Sequence, residues 1–199
     1  GFSTFSDSLV GFNLDGFILL PVMAAIVVGG IGFPVLHEMK GRWSRPSPRP
    51  WTLHSKLTLA TTAGLLIGGF ALMLATEWHG VLGGMNIPAK ALNAAFHSVS
   101  LRTAGFNAVD MTGFSDSALL FQYGLMLIGG GSAGTAGGIK VTTFALLGYV
   151  VWSEMRGDSD TNVMGRRVGH NVIRQALSVA PIALAITAAA TMLRSAPED

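Results

Sequence analysis

Two segments of the chain could bring backbone carbonyl oxygens to an ion inside a membrane. Residues 98–107 read SVSLRTAGFN, and residues 129–140 read GGGSAGTAGGIK. Each places flexible backbone next to an apolar run long enough to cross a bilayer. Irregular backbone at membrane depth is tolerated only where protein buries it or where it lines a water-filled cavity. Together the two segments predict an ion pathway.

The composition favours a membrane protein. Apolar residues make up 50% of the chain and charged residues only 12%, against about a quarter charged in ordinary soluble domains. A soluble α/β protein with buried helices is the alternative, and it fits poorly because such helices are rarely so long or so free of charge. The net charge of +2 gives no sign of nucleic-acid binding, and the lack of cysteine excludes disulfides and thiolate metal sites. Four apolar runs approach or exceed the roughly 18 to 20 residues that span hydrocarbon: 17–36, 57–75, 117–152 and 176–193.

Basic residues are distributed unevenly between these runs. They concentrate in 40–56 and 153–175, whereas the connection 76–116 carries only Lys90 and Arg102. By the positive-inside rule the first two segments are cytoplasmic and the third is external. The pattern predicts a multi-pass protein of the cell inner membrane.

The external connection predicts a re-entrant pore loop. Asn86 is a favourable N-cap and Pro88 suits a first helical turn, so we expect a short helix at about 88–100. A helix of that length covers about 18 Å, roughly half of the hydrocarbon core. Its C-terminal end favours a cation, and the next residues, 102–106, can offer carbonyl oxygens in place of a hydration shell. An ordinary extracellular turn is the alternative for this short pattern.

The third apolar run is too long for one straight helix. At full helical length, 117–152 would reach about 54 Å, beyond a core of roughly 30 Å. We expect two half-helices separated by a loop at 129–138, where glycine occupies six of ten positions. A dimerisation face would need only two of these glycines, and a phosphate-binding loop is excluded because Ile139 separates the last glycine from Lys140. Lys140 would lie deep in the membrane, so we expect it to face the pore or anchor the loop.

These residues resemble the Trk/Ktr/HKT superfamily of potassium transport proteins, most closely the Ktr-type membrane subunit. The resemblance rests on 98–106 and 129–144, and also on GGIGFPV at 29–35 and LHSKL at 53–57. It extends over nearly the whole chain. It implies an all-α membrane protein of potassium-channel-like helix–pore-loop–helix repeats with a broken inner helix.

The resemblance assigns each segment to a repeat. It places the end of the second-repeat filter and its inner helix at 1–39, the third repeat at 57–152, and the outer helix of the fourth repeat with the external end at 176–199. Cytoplasmic loops are expected at 40–56 and 153–175. The third repeat should hold an outer helix at 57–75, a pore helix at about 88–100, a filter at 102–106, and a broken inner helix at 117–152 with a loop at 129–138. Because Gly1 and Phe2 resemble the end of a family filter, we expect a fragment of a longer chain that does not conduct by itself.

The resemblance also implies site residues. Potassium is expected on the backbone carbonyls of Thr103, Ala104 and Gly105. The expected selectivity filter consists of Gly1, Phe2, Arg102, Thr103, Ala104, Gly105 and Phe106. The expected gating loop consists of Gly129, Gly130, Gly131, Ser132, Ala133, Gly134, Thr135, Ala136, Gly137 and Gly138, together with Lys140.

The function implied is potassium uptake by a protein that is not an enzyme and has no catalytic residue. No cofactor is expected; potassium is the permeant ion, and sodium is a candidate coupling or regulatory ion. The expected partners are membrane lipid, a second copy in a homodimer, and a cytosolic nucleotide-binding regulatory ring (KtrA/TrkA-like), with no nucleic acid.

Two alternatives stay open at this point. One is a secondary transporter whose discontinuous helix binds a different substrate, although such a carrier does not need the half-length helix before 102–106. The other is a sodium-permeable member of the same superfamily. An inert membrane scaffold would leave the loop glycines and Lys140 unexplained.

Glu77 is expected at the membrane interface beside Trp78, or at the outer mouth.

Overall fold

The computed structural model describes residues 3–44, 50–157 and 162–195. Gly1 and Phe2 of the predicted filter therefore lie outside the described residues. The described part is helical apart from irregular connections and one hairpin, whose two strands have two residues each. Its elements in chain order are a 3₁₀ turn (Val10–Phe12), α1 (Gly16–Ile31), α2 (Phe33–Ser44), α3 (Leu53–Glu77), α4 (Ile87–Ser100), a second 3₁₀ turn (Met111–Gly113), α5 (Asp116–Leu127), α6 (Val141–Arg156), β1 (Asn162–Val163), β2 (Arg166–Arg167) and α7 (His170–Ser195).

The first apolar run is not the single helix that we predicted for 17–36. It forms α1 and α2, which meet at Gly32 with a bend of 103°. Gly32 has a φ of +95°, a conformation that favours glycine, and a Cβ there would overlap the carbonyl oxygen of Ser132. The inner helix predicted within 1–39, after the end of the second-repeat filter, is thus corrected to a broken helix. The predicted cytoplasmic loop at 40–56 is also shorter, because α2 continues to Ser44.

The helices differ in their capacity to cross a membrane. In the described residues, α3 is the one helix that is long and apolar enough by itself, and α1 with α2 passes the same test only as one bent span. The third predicted crossing consists of α5, with 12 residues, and α6, with 16. Each is shorter than the roughly 20 residues that span hydrocarbon. In α7, the part Asn171–Thr187 is an apolar helix below that length.

The connection between α6 and α7 contains more regular structure than the predicted loop at 153–175. α6 continues to Arg156, and α7 begins at His170 and not at 176. Between them β1 pairs antiparallel with β2, and Val163 opposes Arg166. Val163 has no exposed surface and packs in a cluster with residues of α3 and α6. The boundaries predicted for this loop and for the fourth-repeat helix are corrected accordingly.

α4 is the most enclosed helix of the described part, and it positions the predicted filter. It packs against α3 and α1. Ala94 belongs to a cluster with Met73 and Leu82, whereas Phe96 belongs to a second cluster with Leu19. Hydrophobic packing on two sides fixes the end of α4 from which the predicted filter begins.

The start of α4 confirms the predicted N-cap. The Asn86 side chain accepts a hydrogen bond from the Ala89 N–H at 3.0 Å, and Pro88 lies in the first turn. Both features stabilise a helix start through local chemistry. The start of α4 is therefore specified by residues of its first turn, whereas packing against other helices fixes its position.

Candidate functional site

Residues 102–106, the predicted filter, leave the C-terminal end of α4 in an irregular conformation. The Ala104 N–H donates to the Ser100 carbonyl oxygen at 3.0 Å. Thr103 and Gly105 both lie in the left-handed region, with φ of +65° and +83°. A β-branched residue rarely adopts this conformation, so the backbone at Thr103 needs support from its surroundings.

Within the described part of the chain, the carbonyl oxygens at the centre of the predicted filter have no hydrogen-bond donor. Among the described residues, no hydrogen bond reaches the carbonyls of Thr103, Ala104 or Gly105. Thr103 and Gly105 line a cavity of about 270 Å³, together with Met126 and residues of α4. Such carbonyls, at the negative end of a helix dipole, can hold a cation. Within the described ranges, no group of His, Cys, Asp and Glu side chains could hold a metal ion.

The exit of the predicted filter is bonded to residues near the beginning of the chain. The Asn107 carbonyl accepts from the Leu9 N–H at 3.0 Å, and the Asn107 N–H donates to the Ser8 hydroxyl at 3.2 Å. Ser100 also donates its hydroxyl proton to the Phe106 carbonyl oxygen. These contacts fix the last residue of the predicted filter and the residue that follows it.

Asp110 adds a negative charge shortly after the predicted filter. Its carboxylate is exposed and accepts from the Thr112 N–H at 2.9 Å and the Thr112 hydroxyl at 2.8 Å. These hydrogen bonds to the ionised form lower the pKa of Asp110. The carboxylate is therefore ionised at neutral pH, where it favours cations over anions.

Residues 129–138, the glycine-rich loop, connect α5 to α6 through a narrow neck. The Gly129 N–H donates to the Ile139 carbonyl at 2.8 Å, and the Ile139 N–H donates to the Leu127 carbonyl at 2.9 Å. A Cβ at Gly129 would overlap the Gly137 carbonyl oxygen. Gly138 has a φ of +69°. The neck therefore requires glycine for close approach at one position and for backbone conformation at another.

Main-chain hydrogen bonds attach the glycine-rich loop to the end of α1. The Gly131 N–H donates to the Gly30 carbonyl at 2.7 Å, and the Thr135 N–H donates to the Gly29 carbonyl at 3.1 Å. The last carbonyls of a helix lack partners within the helix, and the loop supplies donors to two of them. A Cβ at Gly131 would overlap the Ile31 carbonyl oxygen. The break between α1 and α2 is thus the place where the loop docks.

Two side chains of the predicted filter reach the neck of the glycine-rich loop. Arg102 donates from Nη2 to the Gly129 carbonyl oxygen at 3.1 Å. The Thr103 hydroxyl accepts from the Gly137 N–H at 3.0 Å. Arg102 was predicted only as a filter residue, and the structure places its guanidinium against the loop.

Lys140 precedes the first residue of α6 and contacts the loop directly. Its Nζ donates to the Ala136 carbonyl oxygen at 2.8 Å. Of the two roles expected for Lys140, this geometry favours the anchoring of the loop. The hydrogen bond also supplies an acceptor to an ammonium that would be costly inside a membrane.

The Glu77 side chain is buried within the protein, which the sequence did not predict. The side chain is 1% exposed, and its carboxylate accepts from the Ser115 N–H at 3.1 Å and the Ser115 hydroxyl at 2.6 Å. It also accepts from the Val81 N–H at 3.1 Å. Glu77 therefore joins the end of α3 to the start of α5, and its position relative to the membrane interface stays a prediction.

Two further polar residues of α4 have structural roles that the sequence analysis did not predict. The Lys90 Nζ donates to the Trp78 carbonyl oxygen at 2.6 Å and lies 4.5 Å from the centre of the Trp78 ring. The Asn93 Nδ2 donates to the Asn13 carbonyl oxygen at 2.7 Å. The sequence showed only that an Ala-rich helix contains a lysine and an asparagine. It did not show their partners, which lie outside the helix.

Known proteins resemble this chain in sequence over nearly all of its length. Residues 51–194 match the family model TrkH, described as a cation transport protein. Ktr system potassium uptake protein B of Vibrio alginolyticus is 35% identical over 195 residues, which are 97% of this chain and 43% of that protein. Potassium/sodium uptake protein NtpJ of Enterococcus hirae is 35% identical over 199 residues, which are 100% of this chain and 44% of that protein. The chain thus spans less than half the length of these curated relatives.

The fold also matches a solved structure. The crystal structure of the potassium transporter TrkH from Vibrio parahaemolyticus aligns with a TM-score of 0.68 at 20% identity, over 89% of this chain and 38% of that one. The fold is therefore that of an all-α membrane protein, as predicted. With the family match over residues 51–194, the conclusion is that this chain belongs to the TrkH family of cation transport proteins.

Proposed function

We propose that the chain is part of a potassium uptake protein, in which the predicted filter binds the ion and the glycine-rich loop gates its passage. The carbonyl oxygens of Thr103, Ala104 and Gly105 replace the water around potassium. Gly1 and Phe2 contribute to the same pathway as the end of the second-repeat filter. The activity is transport, and no residue acts as a catalyst.

One observation carries this proposal. The carbonyls of Thr103, Ala104 and Gly105 have no hydrogen-bond donor among the described residues, and Thr103 and Gly105 line a cavity at the C-terminal end of α4. Thr103 and Gly105 are exposed on the described part of the chain, and carbonyls that are exposed toward a pathway and have no donor within the protein are suited to bind a cation. The relatives named as potassium uptake proteins support potassium as the ion.

The second candidate is permeation of sodium through the same pathway. It is favoured by the relative named as a potassium/sodium uptake protein, which is as similar to this chain as the potassium uptake proteins are. A secondary transporter for a different substrate has less support, because its substrate would need specific side chains where the predicted filter offers carbonyls. If sodium does not permeate, we propose that it acts as a coupling or regulatory ion for potassium uptake.

The filter assignment is tested at Gly105. In the intact protein, Gly105→Ser should reduce the preference for potassium over sodium about tenfold or more. The physical reason is that residue 105 has a φ of +83°, which costs a non-glycine residue about 1–2 kcal/mol, and relaxation of the backbone moves the adjacent carbonyls. The measurement is competitive uptake of potassium and sodium by proteoliposomes.

Gly84→Ser is the matched control for this test. Gly84 lies in the same external connection, and a Cβ there meets no atom within 4 Å. We expect this variant to keep the ion preference of the parent protein. If Gly105→Ser has the same preference as Gly84→Ser at equal expression, residues 102–106 are not the filter.

We further propose that the intact protein is a homodimer in the lipid bilayer, with a cytosolic nucleotide-binding ring docked on its basic face. The relatives named as protein B of a Ktr system support a subunit that works with other components. The basic segments 40–56 and 153–175 are the surfaces available for docking. Two of their arginines lie against tryptophan rings: Arg42 is 4.9 Å from the centre of Trp51, and Arg156 is 4.8 Å from that of Trp152.

Charge reversal in β2 tests the docking proposal. The double variant Arg166→Glu, Arg167→Glu should weaken co-purification with the cytosolic ring about tenfold, because like charges replace attraction across the interface. The control, Arg166→Lys with Arg167→Lys, keeps both charges and should retain binding. The proposal is wrong if neither the double reversal nor reversal of the charges in 40–56 weakens co-purification.

A further inference from the structure

The predicted filter and the glycine-rich loop are joined by two side-chain hydrogen bonds at consecutive residues. Arg102 holds the Gly129 carbonyl, and Thr103 accepts from the Gly137 N–H. Gly129 and Gly137 lie on opposite sides of the loop neck, where their backbones touch. Both bonds therefore hold the same narrow point of the loop.

The surroundings of Arg102 show that its guanidinium depends on the docked loop. Its Nε is buried and has no hydrogen-bond partner among the described residues. The side chain borders a small cavity whose lining includes Gly30, Gly130 and Ala136, so two of its neighbours belong to the loop. A guanidinium stays charged under all ordinary conditions and is costly to bury without acceptors. The Gly129 carbonyl is the acceptor that the docked loop supplies.

Thr103 has separate roles for its main chain and its side chain. Its carbonyl has no donor among the described residues, whereas its hydroxyl is bonded to the loop. Its φ of +65° is strained for a β-branched residue. The main chain around Thr103 has its own hydrogen bonds outside the loop, from the Ala104 N–H to the Ser100 carbonyl and from the Ser100 hydroxyl to the Phe106 carbonyl. The bond from the Gly137 N–H involves the Thr103 side chain alone.

We infer that Arg102 and Thr103 are positioning residues that latch the neck of the glycine-rich loop to the filter, so that opening of the pathway requires both bonds to break. This inference rests on the proposed function, since it assigns the contacts that hold the proposed gate closed. The latch acts through the side chains of the filter. Ion selection acts through its main chain, so the two properties can be separated by mutation.

The decisive experiment uses the intact protein and removes, in separate variants, the acceptor and the donor of the hydrogen bond between Thr103 and Gly137. Thr103→Val keeps the branched shape and the main chain but loses the acceptor, and Gly137→Pro loses the N–H donor. Each should raise potassium uptake by proteoliposomes about threefold to tenfold, the range that corresponds to one hydrogen bond. The references are Thr103→Ser, which keeps a hydroxyl, and Gly137→Ala, which keeps the N–H and has room for a Cβ.

The double variant Thr103→Val, Gly137→Pro should raise uptake no further than either change alone, because both remove the same bond. Arg102→Met removes the other bond, so its effect should multiply with that of Thr103→Val. In Gly137→Pro and its reference Gly137→Ala, whose changes lie outside the filter, the ratio of potassium to sodium uptake should stay close to that of the parent. Thr76→Val is an outside control, because the bond that the described residues give to its hydroxyl lies within α3, to the Leu72 carbonyl.

The outcomes separate the latch from the proposed function. If the intact parent protein takes up no potassium, the proposed function itself fails. If it takes up potassium but Thr103→Val matches Thr103→Ser, and Gly137→Pro matches Gly137→Ala, the latch does not exist. A fall in ion preference without a rise in uptake also overturns the inference, because it would place the Thr103 side chain in the filter alone.

Discussion

Removal of residues 132–136 from the intact protein is expected to raise potassium flux about tenfold or more while the order of ion preference stays the same. The deletion removes the tip of the glycine-rich loop and three contacts that hold it. These are the hydrogen bonds from Thr135 to Gly29, from Phe33 to Ala133 and from Lys140 to Ala136. Hydrogen bonds of this kind contribute about 0.5–1.5 kcal/mol each, and 1.4 kcal/mol corresponds to a factor of ten in an equilibrium.

The geometry of the neck makes this deletion compatible with a folded protein. Gly129 and Gly137 touch across the neck, and Ile128 pairs with Ile139 in a parallel bridge. The shortened chain can therefore close without separating α5 from α6. Because the predicted filter is untouched, each ion should keep its relative rate while the barrier common to all of them falls.

The measurement compares potassium, rubidium and sodium flux in proteoliposomes that contain equal amounts of inserted protein. A loop that gates the pathway predicts higher flux for every permeant ion and an unchanged ranking. Loss of flux in a well-folded, inserted variant would show that the loop is structural. A changed ranking at raised flux would place the loop in the selectivity mechanism.

The features that sequence could predict are those with a local cause. Asn86 and Pro88 specify the start of α4 through contacts within one turn, and that start was predicted correctly. The interruption between α5 and α6 follows from helix length and from the low helix propensity of glycine. Both arguments need only neighbouring residues and the thickness of a bilayer.

The break at Gly32 shows what local reasoning lacks. One glycine in a long apolar run does not specify a bend of 103°. Gly32 has a positive φ, and the carbonyl oxygen of Ser132, which is distant in sequence, occupies the place where its Cβ would be. The GGIG segment was noticed through a family resemblance, but the sequence did not show that its carbonyls bind the glycine-rich loop.

The same limit applies to the side chains of the site. Arg102 and Thr103 were selected for their place beside a glycine, whereas their contacts with the loop depend on the folded arrangement. The burial of Glu77 was missed because Ser115, its main partner, is the N-cap of a different helix and lies 38 residues further along the chain. A charged residue at a helix end is usually exposed, and only the tertiary structure reverses that expectation here.

Glu77→Ala is expected to destabilise the intact protein by about 2–4 kcal/mol. The carboxylate accepts three hydrogen bonds, two from Ser115 and one from Val81, and bonds to a charged acceptor are stronger than neutral ones. Part of the loss is recovered by water, since Ser115 lies at the surface. The truncated side chain also leaves a space between the end of α3 and the start of α5.

The effect is measured as the midpoint of heat denaturation of the purified protein in detergent. Glu154→Ala is the matched control, because Glu154 is exposed near the end of α6, and we expect its midpoint to equal that of the parent. Ser115→Ala should lower the midpoint less than Glu77→Ala does, because the Ser115 N–H keeps its bond to the carboxylate. The double variant should lose less than the sum of the two single losses, since the residues share a bond. Equal midpoints for Glu77→Ala and Glu154→Ala would mean that the buried carboxylate does not hold α3 to α5.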